Sequence, residues 1–374
     1  MKYIDEFRNK NITRYISGKI QEIVKGYNDR ITLMEVCGTH TTAIFRAGIK
    51  SLLSDKINLL SGPGCPVCVT PNHYLDRAIA YSRLPDIIIT TFGDMIKVPG
   101  SSSSLEGEKG TGGDIRVVYS PLDSIKIAEE NTDKRVIFLG VGFETTAPLV
   151  ASTITTAKKE GLSNLFILCG HKLIPPAMMA LLESKEVNID GFICPGHVST
   201  IIGAKPYLPV VEKYKVPSVI TGFEPVDILE GILMLIIQII NGDKPEIEIQ
   251  YKRAVKEEGN RKALQLMENV FMIGDSEWRG MGVIPKSGLF IQDEYSGFDA
   301  ETNIEVEVEE TKEHPECICG EILRGVKTPP ECSLFRKVCN PINPIGPCMV
   351  SSEGTCAAYY QYEVVWEGNC HREE

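Results

Sequence analysis

The chain is short of positive charge, of long apolar runs and of paired cysteine motifs, and each shortage excludes something. Across 374 residues the formal net charge is −11. Binding nucleic acid irrespective of sequence needs a basic surface to displace counterions, so no nucleic-acid partner is expected. The N-terminus, Met1-Lys-Tyr-Ile-Asp-Glu-Phe-Arg8, carries charges where a secretory signal needs an apolar stretch, and a cytoplasmic location is expected. The longest apolar run, Gly231 to Ile240, is about half of what a bilayer span requires. Asp227 before it and Asn241-Gly242 after it read as helix caps, which makes it a buried helix and predicts no membrane association. A single C-x-x-C occurs, Cys65-Pro-Val-Cys68, so the second pair of a structural zinc site is missing. The C-x3-C-x2-C pattern of radical enzymes is missing as well.

What is present is thiol at uneven density on an ordinary globular background. The composition is 43% hydrophobic and 24% charged, enough chain for two or three domains with full cores. Seven of the twelve cysteines fall from Cys317 onward, ending at Cys370. In a reducing cytosol such clustering points to ligation or redox chemistry rather than a disulfide framework.

From about residue 31 to 221 short β-branched runs alternate with Gly/Pro/polar loops and helical stretches. Candidate strands are 31–36, 57–60, 86–91, 115–119, 135–139, 165–169, 191–194 and 217–221. Continuous apolar strands alternating with helices define a mostly parallel sheet covered on both faces. Eight strands and a loop-like break at 101–113 favour two such units. The expected fold class is α/β: parallel-sheet α/β domains at 29–125 and 126–250 flanking a cleft, then a mainly helical or irregular cysteine-rich domain at 251–374, with segment 1–28 packed on it. Within the last part, 254–270 reads as helical, and the acidic run at 301–316 reads as a solvated face or loop.

In open parallel sheets ligands sit beyond the carboxyl ends of strands, and most of the unusual strings fall there. Cys37-Gly-Thr-His40 follows the first strand. A thiolate at a strand-to-helix turn has its pKa lowered by the helix N-terminus, and His40 can serve as base or second ligand; the competing reading is a buried cysteine beside a capping Thr39. Cys65 and Cys68, stiffened by Pro63 and Pro66, suit a redox pair near the cleft or half of a metal site. Asp94, Glu144, His171, His197 and Glu224 each read alone as a structural polar group more often than a functional one, and only their shared strand-end placement raises them. Cys169 and Cys194 lie inside apolar strands and read as core. In the tail, Cys317, Cys319, Cys332, Cys339, Cys348 and Cys356 are interleaved with prolines. Thiolates gathered from such irregular backbone suit an iron–sulfur cluster or zinc.

Six strings together resemble the HypD hydrogenase maturation proteins over essentially the whole chain. They are Met34-Glu-Val-Cys-Gly-Thr-His-Thr41, Gly62-Pro-Gly-Cys-Pro-Val-Cys68, Gly142-Phe-Glu-Thr-Thr146, Pro195-Gly-His-Val-Ser199, Gly222-Phe-Glu-Pro-Val-Asp227 and Met349-Val-Ser-Ser-Glu-Gly-Thr-Cys356. The resemblance implies a scaffold on which the Fe(CN)2CO unit of the [NiFe] active site is assembled, with a small HypC-type partner and a HypE-type cyanide donor. It implies a [4Fe-4S] cluster whose family spacing, C-x12-C-x6-C-x16-C, selects Cys319, Cys332, Cys339 and Cys356, leaving Cys348 free and Cys317 as a rival first ligand. Cys37 would be the iron ligand with His40 beside it, Cys65 and Cys68 a redox pair between that site and the cluster, and Glu353 a neighbour of the cluster or the pair. Thr42 stands where many relatives carry a second histidine. Apart from the resemblance, an iron–sulfur dithiol reductase acting on thioredoxin-like partners would use the same cysteine pair and tail, and a zinc-stabilised interaction protein would need only the tail.

Overall fold

A computed structural model describes residues 5–242 and 244–363; Cys370 and the last part of the expected third domain lie outside the described residues. All eight expected strands form, as β1 (Ile31–Glu35), β2 (Ile57–Ser61), β3 (Ile87–Thr91), β4 (Asp114–Val117), β5 (Arg135–Gly140), β6 (Leu165–Cys169), β7 (Gly191–Pro195) and β8 (Ser218–Thr221). With the three-residue β9 (Ile247–Ile249) they build two parallel sheets, ordered β2-β1-β7-β8-β9 and β4-β3-β5-β6. The runs of Ile, Leu, Val and Phe that signalled the strands are buried because helices cover both faces of each sheet.

The partition between the sheets differs from the expected boundary. Residue 125 lies between β4 and β5, which belong to one sheet, while β1 pairs with β2 on one side and with β7 on the other. The chain leaves the first sheet after β2, completes the second, and returns at β7. Parallel neighbours need only a crossover between them, and nothing local limits its length. Sequence order therefore says little about which strands become partners.

The N-terminal helix Lys10–Lys25 also departs from expectation. Its apolar stripe, Ile16, Ile20 and Val24, enters the core of the first sheet with Ile31, Leu33 and Ile57, and it packs along the helix Pro225–Asn241 rather than on the cysteine-rich tail. The physical reason is the latter helix, which buries Ile228, Leu229, Ile232, Leu235 and Ile236 and still presents Leu233 and Ile239, so it needs a second cover. That helix is capped one turn earlier than expected. Glu224 is its N-cap and Asp227 completes a capping box, while Gly242 ends it at φ 67°.

Beyond residue 251 the expected helix over 254–270 is shortened to Arg261–Val270, because Gly259 turns the chain with φ 64° and Asn260 caps the helix. An unexpected antiparallel hairpin follows, β10 (Phe271–Trp278) and β11 (Gly282–Ile291), with a register shift between Gly274 and Ser276. The expected loop at 101–113 holds a short helix, Leu105–Gly110, capped by Ser104. The acidic run is as expected: 305–314 has no regular structure and its Glu side chains are exposed or half-buried. Among the described residues no helix is long and apolar enough to cross a membrane.

Ile20 is fully buried, whereas Tyr15 on the same helix is 66% exposed. Ile20→Ala should lower unfolding free energy by about 2–5 kcal/mol, and Tyr15→Ala by less than about 0.5 kcal/mol, in denaturant titrations.

Candidate thiol site

Three loops meet at Cys37. β1 ends at Glu35, and Cys37 is the N-cap residue of the helix Gly38–Arg46. The Gly38 amide donates to the carbonyl of Gly64, 2.9 Å away, which ties this turn to the loop after β2. A Cβ on Gly64 would lie 2.1 Å from the Cys37 nitrogen, so glycine is required for the approach. On the other side a Cβ on Gly38 would meet Glu353 at 2.5 Å. The Thr39 hydroxyl donates to Glu353 Oε1 at 2.6 Å, and the Thr42 hydroxyl donates to the Ser352 carbonyl at 2.9 Å. Thr42 thus helps to fasten the tail. Asp94, expected near the cleft, is exposed and accepts a 3.3 Å hydrogen bond from the Ser351 hydroxyl.

Glu35, which sequence reasoning passed over, is the second anchor. It is 2% exposed, accepts from the Cys37 amide at 2.9 Å and from the Thr41 hydroxyl at 2.5 Å, and burial pushes its carboxyl up to about 7. The Cys37 thiol itself is pushed up to about 12 by burial, with Glu353 and then Glu35 adding to the rise. The amides of His40 and Thr39 act in the opposite sense but lose. This overturns the expectation that the helix N-terminus lowers this pKa: two carboxylates and a dry site outweigh the helix start.

The His40 ring turns to another loop. Its Nε2 lies 2.9 Å from the Gly222 carbonyl and 2.8 Å from the Thr221 hydroxyl, at the end of β8. A carbonyl can only accept, so Nε2 carries the hydrogen and Nδ1 is a lone pair; Nδ1 is buried and has no partner. Burial holds the imidazole down to about 4, hence neutral. Phe223 is stacked between His40 and His197, with centroids 4.7 and 3.9 Å away, so the two histidine strings converge on one aromatic ring that sequence reasoning did not single out. Glu224, by contrast, is structural: it caps its helix and accepts two hydrogen bonds from Arg8.

Cys65 and Cys68 are joined as a disulfide with Cα atoms 5.3 Å apart. They are 3% and 0% exposed, so the pair lies in the core and not at an open cleft as expected. Pro66 starts the one-turn helix Pro66–Val69, and the helix Pro347–Val350, carrying Cys348, packs on it. The disulfide therefore stands between the Cys37 turn and the tail.

In the tail all six cysteines from Cys317 to Cys356 line one cavity with Ile322, Leu334, Phe335 and Met349. The donors are all thiols, the set that soft metals and iron–sulfur clusters take. Among the described residues no three His, Cys, Asp or Glu side chains are gathered closely enough to hold a single metal ion, whereas the thiolates of a four-iron cluster stand farther apart than the ligands of one ion. Within the set, the Cys319 thiol donates to Cys348 Sγ at 2.7 Å. Elsewhere, Cys194 is fully buried core, as expected. Cys169 is only half-buried; its thiol donates to the Leu289 carbonyl at 3.2 Å. Glu144 and His171 are both buried, and His171 Nδ1 lies 3.8 Å from the Cys169 thiol.

Fold and site together define a double-sheet α/β protein with a thiol-rich candidate site. A family model, HypD, described as "Hydrogenase formation hypA family", matches residues 11–363. The chain is 46% identical over 369 residues to the hydrogenase expression/formation protein HupD of Azotobacter chroococcum, covering 97% of each. It is 45% identical to the hydrogenase maturation factor HypD of Azotobacter vinelandii over 369 residues, again 97% of each. With the hydrogenase maturation factor HypD of Escherichia coli it shares 41% over 367 residues, 97% of this chain and 98% of that one. The chain belongs to the HypD family of hydrogenase maturation factors.

A two-residue gap lets the pair open and close with little backbone movement. Alkylation of oxidised protein should leave Cys65 and Cys68 unlabelled, and mild reductant should expose both to label by mass spectrometry. Labelling of both before reduction would count against the pairing.

Proposed function

We propose that the chain is a redox-active scaffold on which the Fe(CN)2CO unit of the [NiFe] active site is assembled, working with a HypC-type partner and a HypE-type cyanide donor. The observation that supports this best is the backbone contact of three loops, which gathers Cys37, the Cys65–Cys68 disulfide and Glu353. The iron unit is cargo. Cys37 takes it as thiolate, and the thiol proton, held tightly in this dry site, must leave as the iron arrives. Glu353 is the acceptor: it faces the thiol, is fastened by Thr39, and burial raises its carboxyl toward the range where it takes up a proton. His40, neutral and held by Gly222, keeps its Nδ1 lone pair for a ligand or a proton.

A [4Fe-4S] cluster, held by Cys332, Cys339, Cys356 and a fourth cysteine, supplies electrons one at a time when bound. Family spacing gives Cys319 as that fourth ligand. Cys317 is its rival, and we place Cys319 outside the set because its thiol is engaged on two sides, with Cys348 and with Cys317. The chain's own part is to keep the Cys65–Cys68 pair between that cavity and Cys37. The alternative, a dithiol reductase acting on thioredoxin-like partners, requires a disulfide that a second protein can reach, and the burial of both sulfurs disfavours it.

Cys37→Ser, isolated with the HypC-type partner, should keep its fold and brown colour and lose the cyanide and carbonyl infrared bands; bands that persist would move the iron ligand elsewhere. Cys332→Ala and Cys317→Ser should lose the absorbance near 400 nm expected of an iron–sulfur cluster, and Cys319→Ser should retain it. The reverse result for the last two would restore the family-spacing assignment.

A further inference from the structure

The Gly142-Phe-Glu-Thr-Thr146 string takes no part in the chemistry above, yet it holds one of the least satisfied groups in the protein. Glu144 follows β5 at the carboxyl end of the second sheet and is 2% exposed. Its Oε1 accepts a 3.0 Å hydrogen bond from the Ile174 amide, while Oε2 is buried with no partner. Burial pushes the carboxyl up to about 7. Leaving such an oxygen unmatched is costly, and native structures keep few of them without a reason.

Glu144 lines a cleft of about 520 Å³ whose other walls are almost wholly apolar. Pro175 and Met179 come from the helix Ile174–Ser184, Leu264 and Met267 from the helix Arg261–Val270, and Phe271 and Leu289 from the hairpin. The remaining charges in the lining, Glu268 and Lys286, are exposed at the rim and offset each other, so the interior carries one uncompensated acid. The volume is that of a small-molecule site, and its position beyond the strand ends is where open α/β sheets bind ligands. It is separate from the thiol cavity: the two share no lining residue.

We propose that this cleft binds a small, largely apolar molecule bearing a primary amine, with the amine donating to Glu144 Oε2 and the hydrocarbon part lying against Met179, Met267 and Phe271. The site stands independently of the maturation reading, since nothing in it touches Cys37 or the tail.

Calorimetric titration of the whole chain at pH 8 with n-octylamine and, separately, with n-octanoate provides the test. One octylamine should bind per chain, with octanoate weaker by about tenfold or more. Glu144→Gln should weaken octylamine by a similar factor and strengthen octanoate by removing the like charge, whereas Glu268→Gln at the exposed rim should leave the preference for the amine in place. Ile273 lines the cleft but is 58% exposed, so Ile273→Trp should fold normally and weaken both ligands. The proposal is overturned if octylamine shows no saturable binding, if the two ligands bind equally, if Glu144→Gln binds octylamine as the parent does, if Glu268→Gln removes the preference, or if Ile273→Trp changes neither affinity.

Discussion

The candidate site depends on one close approach, that of the Gly64 backbone to the backbone of Cys37. Two parallel neighbouring strands, β1 and β2, end side by side, and the loops that leave them can touch only if no side chain stands between. Gly64 removes that side chain on one loop and Gly38 does the same toward Glu353. The Gly38 amide then closes on the Gly64 carbonyl, which fixes the register of the two loops. Without this contact the iron-ligand candidate, the disulfide and the tail carboxylate would sit on three separate turns.

Burial then sets the protonation of everything around Cys37. The thiol is held up to about 12, Glu35 up to about 7, and His40 down to about 4. Every one of these shifts favours the neutral form, as desolvation must. For folding, the raised Glu35 and Glu144 contribute stability below pH 4.5 that is lost as pH rises through about 7. His40 contributes in the opposite sense: its share is present above pH 6.5 and is lost as pH falls through about 4. The opposing slopes overlap between pH 4.5 and 6.5.

The strands were legible because a parallel strand covered on both faces must be apolar throughout, and the glycine-rich strings were legible because loops beyond strand ends are where function gathers. Which strands pair was not, since β1 meets β7 across the 158 residues that separate Leu33 from Gly191, and no local pattern reports such a partner. The hairpin was hidden by Gly274, Pro285 and Gly288, which interrupt the alternation that marks a strand. Within the site, cysteines and histidines announce themselves by type, but Glu35 and Phe223 do not. A glutamate at a strand end and a phenylalanine after a glycine look like any others until the fold brings them to Cys37 and His40. The Cys319–Cys348 contact escaped for a related reason: a 29-residue separation across proline-broken chain carries no periodic signal.

The interleaved strand order also sets a timetable for synthesis. β1 and β2 emerge first, but β1 waits for β7, whose register partner for Leu33 is Gly191, and long loop closures are slow to form. The second sheet, continuous from β3 to β6, can fold meanwhile as a self-contained insert. Glu353 is made more than 300 residues after Cys37. A nascent chain that has passed β2 but not the 349–356 string therefore carries the Cys37 turn without Glu353, which packs against Gly38.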